Sequence, residues 1–324
     1  MYKVAVTQKL HDDGLAVLQK ESTVLNLDKK TPLITAKEIA GQDGLIIRIA
    51  TIDQTAIEAS PQLKVIGRPG VGYDSIDMAA ATESGILVVV TPGANTLSVA
   101  EHAVAMMMMF AKDMLFCDRE LRKGNFQARN RYKAFELDKK VLGLIGLGNI
   151  GKETARLAKG LGMSVAVYDP IVSQKVIEAL GYTYVATLDD LLKASDIISI
   201  HVPLLDSTKN LISGRELEIM KREALLVNCS RGGIVDEDAL YDALVDEKIA
   251  GAALDVFSTE PPPADDRLFT LDNVIVTPHM AAQTKEAVSR MATRCAQGVL
   301  AVIRGEHWPH VVNPEAYDHP RWKK

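Results

Sequence analysis

The residues whose types and spacing suit chemistry begin at Gly146-Leu147-Gly148-Asn149-Ile150-Gly151, which follows an apolar run at 141–145. Gly146 can make a tight turn, Gly148 lets backbone approach a pyrophosphate, and Gly151 lets a helix pack closely on a strand. The free N–H groups of a helix starting there would face phosphates. Asp169 closes the next apolar run, 164–168, about twenty residues on, where a carboxylate can accept both ribose hydroxyls of an adenosine. That carboxylate repels a 2′-phosphate, and Pro170, Ile171 and Val172 supply no arginine to bind one. The pattern predicts NAD rather than NADP.

Three polar residues further on have complementary talents. Arg231 lies in Asn228-Cys229-Ser230-Arg231-Gly232-Gly233, where glycines free the backbone and a guanidinium could hold a carboxylate bidentately. Glu260 precedes Pro261, Pro262 and Pro263, which stiffen its loop by fixing φ, and His279 follows Thr277-Pro278. A 2-hydroxy acid offers a carboxylate to grip, a hydroxyl proton to remove and a hydride to pass to a nicotinamide. Arginine, histidine and cofactor answer those needs in turn. A carboxylate bonded to the imidazole would orient it and keep a proton in hand for the keto acid. Taken singly, the plainer readings are the commoner ones: Arg231 as a helix cap, Glu260 as an exposed loop acid and His279 as a turn residue. Their convergence beside a dinucleotide pattern favours the joint reading.

Positioning these residues requires strand ends. In the second half, apolar strands are expected at 141–145, 164–168, 197–200, 225–227, 251–254 and 274–276, alternating with amphipathic helices. Their ends carry Asp169, His201, Ser230 with Arg231, Asp255 and His279. Ligands bind along that edge of an open α/β sheet. The expected cofactor contacts are therefore Gly146, Gly148, Asn149, Ile150 and Gly151 at the turn, and Asp169 with Pro170. His201, Val202, Pro203 and Thr208 follow the third strand; Cys229, Ser230 and Arg231 the fourth; Asp255, His279 and Ala281 the last two. No metal-ligand spacing is present among Cys117, Cys229 and Cys295.

Residues 1–95 repeat the alternation, with strands expected at 4–6, 45–49, 63–66 and 86–90. The fold class is α/β, with two doubly wound, Rossmann-like or flavodoxin-like domains on parallel sheets. Two strand-end loops in the first half carry Arg48 and Gly67-Arg68-Pro69-Gly70-Val71-Gly72-Tyr73. Gly70 and Gly72 would present backbone N–H groups to an anionic oxygen, and the arginines would add charge. Solvated loop arginines explain the same residues equally well. One long helix is expected over 96–123, its Met106–Met109 run serving core or subunit packing. The basic cluster after it holds Arg129, Arg131 and Lys133.

Composition narrows the classes. A net charge of −5 gives nucleic acid or an anionic membrane nothing to hold, and the longest apolar run, 103–111, is too short to span a bilayer. Widely separated cysteines and the lack of a secretory n-region and h-region suit a reducing cytoplasm.

These motifs, with His201-Val202-Pro203-Leu204, Ile234-Val235-Asp236-Glu237 after Gly233, Leu254-Asp255-Val256-Phe257 and Thr277-Pro278-His279, resemble the D-isomer-specific 2-hydroxyacid dehydrogenases over nearly the whole chain. The resemblance implies Arg231 as substrate-carboxylate ligand, His279 as acid/base and Glu260 as its partner. It implies a discontinuous substrate-binding domain of 1–95 plus 284–324 and an NAD-binding domain of 96–283. It further implies substrate in the cleft between them, closure that excludes water, and a homodimer built on the long helix. Arg48 before Ile49-Ala50-Thr51, the Arg68 loop, and Asn95-Thr96 with Glu101-His102 resemble the members acting on 3-phosphoglycerate, in serine synthesis. There, basic side chains corresponding to Arg48, Arg68, Arg129 and Arg131 address the phosphorylated substrate, with Gly70, Val71 and Gly72 beside it. The short chain resembles forms without a regulatory domain, so feedback through such a module is not expected. Asn149 departs from the basic residue many relatives have near the pyrophosphate. Alternatives are a hydroxypyruvate or glyoxylate reductase, another D-2-hydroxyacid dehydrogenase, and an NAD(H)-sensing corepressor-like binding protein.

Overall fold

The computed structural model describes residues 1–29, 31 and 33–323, and it divides into two units: Met1–Asn95 with Gln283–Lys324, and Thr96–Ala282. In the first unit, β1 (Tyr2–Val6), β2 (Ser22–Asn26), β3 (Gly44–Ile46), β4 (Val65–Gly67) and β5 (Leu87–Val89) form a parallel sheet in the order β2-β1-β3-β4-β5. This is the flavodoxin-like order. Successive side chains alternate between two cores: Val4, Val6, Ile46 and Val65 meet the helix Lys285–Ile303, while Ala5, Leu45, Ile66 and Val88 enter the opposite one. Burial on both faces is why these strands read as unbroken apolar runs. β2 was not expected. It is an edge strand of Ser-Thr-Val-Leu-Asn with three exposed residues, held by backbone pairing to β1, so no apolar run marks it.

The chain returns to this sheet at its end. Val312 N–H donates to Val88 O at 2.9 Å, and buried Asn313 accepts from Val88 N–H at 2.8 Å while its Nδ2 donates to Ile86 O at 2.9 Å. Arg321 Nη1 and Trp322 Nε1 then donate to the carbonyls of Ser84 and Gly85, each at 2.8 Å. Gly85 has φ +66 and lies where an added Cβ would come within 2.5 Å of His319, so this docking requires glycine.

In the second unit, β6 (Val141–Ile145), β7 (Ser164–Tyr168), β8 (Thr183–Tyr184), β9 (Ile197–Ile200), β10 (Leu225–Asn228), β11 (Gly251–Leu254) and β12 (Val274–Val276) are parallel in the order β12-β11-β10-β9-β6-β7-β8. The order reverses between β6 and β9. That pair is the topological switch point, where a crevice opens at the carboxyl ends of the strands. Leu142, Leu144 and Val167 face one core and Ile145, Ala166 and Ile198 the other.

The helix expected over 96–123 is two helices, Thr96–Ala111 and Met114–Arg122. Asp113 interrupts them with φ +51, a left-handed conformation that Asp tolerates better than most residues. Lys112 Nζ fixes the break by donating to Phe135 O at 2.8 Å. No residue of Met114–Arg122 is buried within the chain. Among the described residues, no helix is long and apolar enough to cross a membrane.

Candidate active site

The glycine turn sits at the switch point. Gly146 has φ +95, and its N–H donates to Tyr168 O at 2.9 Å, bending the chain off β6. An added Cβ on Gly151 would collide with the Gly146 carbonyl oxygen, so the helix Asn149–Gly160 can approach only as glycine allows. Gly148, the N-cap, has nothing within 4 Å of where a Cβ would stand. Its open side, with Asn149 and Ile150 starting the helix, is where N–H groups remain for a pyrophosphate.

Asp169 braces that turn. Its Oδ2 accepts from Leu147 N–H at 2.7 Å, and its Oδ1 accepts from Ile171 N–H at 2.8 Å and Val172 N–H at 2.9 Å. Burial opposes the charge, but these bonds outweigh it and hold the carboxyl below its usual range. It is therefore ionised at neutral pH, with one lone pair, on Oδ2, left over for a hydroxyl donor. Pro170 is exposed beside it.

Across the switch point, His201 N–H donates to Ile145 O at 2.8 Å, and Val202 lies where a Cβ on Gly146 would be. Burial pushes the His201 ring down to about 4, so it is neutral, with Nε2 3.0 Å from Ser199 Oγ. Thr208 Oγ1 donates to Pro203 O at 2.6 Å and accepts from Leu205 N–H at 2.8 Å, closing the following loop. Ser230 Oγ donates to Val202 O and ties the ends of β9 and β10 together. Burial first, then the nearby Asp255 charge, push the Cys229 thiol up, so it stays protonated. Glycine turn, acid and strand-end loops together fit a dinucleotide.

His279 and Glu260 meet directly, Nδ1 to Oε2 at 2.7 Å. Glu260 Oε1 also accepts from Phe257 N–H at 3.1 Å. Burial works against the Glu260 charge, yet the His279 bond and charge, the Phe257 N–H and the Arg231 charge hold its carboxyl below the ordinary range. An ionised Glu260 can only accept, so His279 Nδ1 carries a proton and Nε2 is the ring nitrogen that Glu260 does not use.

Arg231 is placed by its turn. Asn228 is buried; its Oδ1 accepts from Ser230 N–H at 3.0 Å and its Nδ2 donates to Arg231 O at 2.9 Å. A Cβ on Gly232 would collide with Phe257 O, so this turn presses on the segment leading to Glu260. Arg231 Nη1 donates to Ser230 O at 2.7 Å.

His279 has φ +48, a left-handed conformation costing about 1–2 kcal/mol for a residue with a Cβ. Such a conformation persists only where surroundings over-determine it. Here Asp255, fully buried, does so: its carbonyl accepts from His279 N–H at 2.8 Å, Oδ1 from Met280 N–H at 2.8 Å, and Oδ2 from Ala281 N–H at 2.9 Å. Thr277 Oγ1 donates to Asp255 Oδ1 at 2.5 Å, and His102 Nε2 is 3.0 Å from Thr277 Oγ1.

In the first unit, Arg48 follows β3 and Arg68 follows β4, neighbouring strands of one sheet, and both are half-buried. Arg48 Nη1 donates to Lys9 O at 2.8 Å. Burial pushes the Cys295 thiol up to about 12, with the Arg68 charge pulling the other way. The expectation that Gly70 offers its N–H to a ligand needs correction. That N–H donates to Thr91 Oγ1 at 2.9 Å, and Thr91 N–H returns a bond to Gly70 O at 2.8 Å. Val71 is exposed beside half-buried Gly72. In the second unit, Arg129 and Arg131 lie on a single 3₁₀ turn, Phe126–Arg131. Arg129 lies over the Phe126 ring at 4.9 Å, and Arg131 lies over Phe116 at 3.8 Å and 3.6 Å from Asp113. Both have local partners.

The braces Asn228 and His102 were not singled out from sequence as supports. Asn228 stood inside a recognisable turn motif, whereas His102 is 175 residues from its partner.

The family description "D-isomer specific 2-hydroxyacid dehydrogenase, NAD binding domain" matches residues 104–281. The chain is 42% identical over 314 residues to a D-3-phosphoglycerate dehydrogenase of Methanocaldococcus jannaschii, covering 97% of this chain and 60% of that protein. It is 39% identical over 320 residues to a glyoxylate reductase of Korarchaeum cryptofilum, covering 97% of this chain and 96% of the relative. The chain thus spans less than two thirds of the first relative's length and nearly all of the second's. Among solved structures, the TT0316 protein of Thermus thermophilus superposes with a TM-score of 0.87 at 33% identity, over 96% of this chain and 99% of that one.

Proposed function

The chain belongs to the D-isomer-specific 2-hydroxyacid dehydrogenases, a family of NAD-dependent oxidoreductases, and we propose that it interconverts 3-phosphoglycerate and 3-phosphohydroxypyruvate. The 2.7 Å pairing of His279 with Glu260, beside the charge of Arg231, carries the chemical part of this reading. Asp169, Gly146, Gly148 and Gly151 would hold NAD, which when bound takes the hydride from the hydroxy acid or, reduced, supplies it. Arg231 grips the substrate carboxylate. His279 Nε2 gives a proton to the keto oxygen in reduction and takes it back in oxidation, while Glu260 stabilises the charged imidazole.

The phosphate part rests on Arg48 and Arg68, half-buried charges at adjacent strand ends. Arg129 and Arg131 contribute less, being engaged with Phe126, Phe116 and Asp113. Likeness to a glyoxylate reductase over nearly the full length of both chains supports a second reading, reduction of unphosphorylated keto acids. NADH oxidation with phosphohydroxypyruvate, hydroxypyruvate, glyoxylate and pyruvate separates the two. Preference for the phosphorylated acid is expected, and the Arg48→Ala, Arg68→Ala pair should lower its kcat/KM by about 10²- to 10⁴-fold, since bonds to charged groups contribute about 1.5–3 kcal/mol each. An unmoved preference would remove the phosphate assignment. Turnover with none of these acids, despite tight NADH binding, would favour a sensor of NAD(H).

A second copy of the chain is the proposed partner of the helix Met114–Arg122, where Leu121 is 59% exposed and Phe126, just beyond, 61%. Exposed apolar side chains grouped on one element mark an interaction surface. Light scattering should give twice the chain mass, falling to one chain with Leu121→Glu and Phe126→Glu together. A monomeric wild-type protein would refute this.

A further inference from the structure

We propose that His102 and Thr277 are positioning residues for His279: the relay from His102 Nε2–H to Thr277 Oγ1–H to Asp255 Oδ1 fixes the left-handed turn that presents the imidazole to Glu260. The inference rests on His279 being the acid/base.

The direction of the relay follows from its members. Asp255 lies among donors: Met280 N–H on Oδ1 at 2.8 Å, Ala281 N–H on Oδ2 at 2.9 Å, and Thr277 Oγ1 on Oδ1 at 2.5 Å. A carboxylate only accepts, and Thr277 has one hydroxyl proton, which it spends on Asp255. The contact from His102 Nε2 to Thr277 Oγ1 at 3.0 Å must therefore be a donation by the imidazole. The His102 N–H occupies one lone pair of the hydroxyl and leaves the Thr277 proton aimed at the acid. Each bond polarises the next.

The relay has a rigid base. His102 belongs to the helix Thr96–Ala111, between buried Ala100 and Ala103, and groups built on helices hold geometry better than groups on loops. Its far end is the turn itself, because the residues bonded to Asp255 are consecutive with His279. Without the Thr277 hydroxyl, Asp255 Oδ1 keeps, among the described residues, Met280 N–H and the 3.5 Å approach of His102, and the turn can relax. The imidazole would then leave Glu260. Neither His102 nor Thr277 needs to touch substrate for this to matter.

Thr277→Val, nearly isosteric, tests the hydroxyl, and Thr277→Ser restores it. His102→Leu and His102→Gln do the same for the donor. With NADH saturating and the best keto acid of the panel, Thr277→Val should lower kcat by about 10- to 100-fold, with NADH affinity and substrate KM held within about 3-fold, as misplacement of a reacting group predicts. Thr277→Ser should recover most of that loss, and His102→Gln should outperform His102→Leu. Unchanged kcat in Thr277→Val, or failure of Thr277→Ser to rescue, would overturn the proposal. So would loss of NADH binding or of the folding transition in parallel with kcat. His279→Ala in the same assay separates the premise from the inference: if that variant stays active, the acid/base reading is what fails.

Discussion

His279→Ala will lower kcat for keto-acid reduction by about 10³-fold, within the range general acid catalysis supplies, and will leave NADH affinity within about 2-fold. The first half follows from the pairing with Glu260 at 2.7 Å, which occupies Nδ1 and leaves Nε2 to exchange the substrate proton. Alanine has no such group. The second half follows from where the loop's bonds originate. His279 N–H to Asp255 O, and Met280 and Ala281 N–H to the Asp255 carboxylate, are backbone donors that alanine keeps. Fluorescence titration with NADH beside steady-state rates measures both. Loss of cofactor binding along with turnover would make His279 a structural residue, and retention of turnover would end the acid/base assignment.

The pH dependence has a definite sign. Glu260 has its carboxyl depressed below the ordinary range despite burial, chiefly by the His279 bond and charge. A depressed carboxylate contributes above its unfolded value and loses the contribution only as pH falls through the lower, folded one. The Glu260 charge, and with it the acceptor for His279 Nδ1, therefore persists throughout the neutral range.

The proposed dinucleotide site was legible because its demands are local. Gly146, Gly148, Gly151 and Asp169 span one βαβ unit, which shows a left-handed turn at the first, open space at the second and a close contact at the third, while the carboxylate of the fourth would accept from a ribose. Glu260 and His279 were legible as chemical types, while their meeting depends on neighbouring strands β11 and β12 delivering both loops to one edge. What escaped was set by partners far along the chain. The Gly70 N–H goes to Thr91, 21 residues away, so a glycine loop that reads as an anion cradle uses that donor internally. The helix break at Asp113 has no glycine or proline to announce it; a single left-handed residue makes it. β2 pairs through backbone with polar residues, and periodicity cannot detect that.

Arg231→Lys will lower kcat/KM by about 10²- to 10³-fold, carried mainly by KM for the keto acid, although the charge is kept. Two bonds to a charged group, each worth about 1.5–3 kcal/mol, are at stake when a planar fork becomes a point charge. The turn around Arg231 is built independently of its side chain. Asn228 Oδ1 takes Ser230 N–H, Asn228 Nδ2 reaches Arg231 O, and Gly232 presses on Phe257 O. Lysine thus leaves the backbone in place and changes only the group presented. The competing reading is a structural arginine, suggested by the 2.7 Å bond from Nη1 to Ser230 O. It predicts a lower melting temperature and weaker NADH binding with an unchanged keto-acid KM. A carboxylate grip predicts the reverse: stability and NADH affinity near wild type, KM raised, and the same handicap for every keto acid in the panel, because all share the carboxylate. That uniformity separates Arg231 from Arg48 and Arg68, whose replacement should penalise the phosphorylated acid alone.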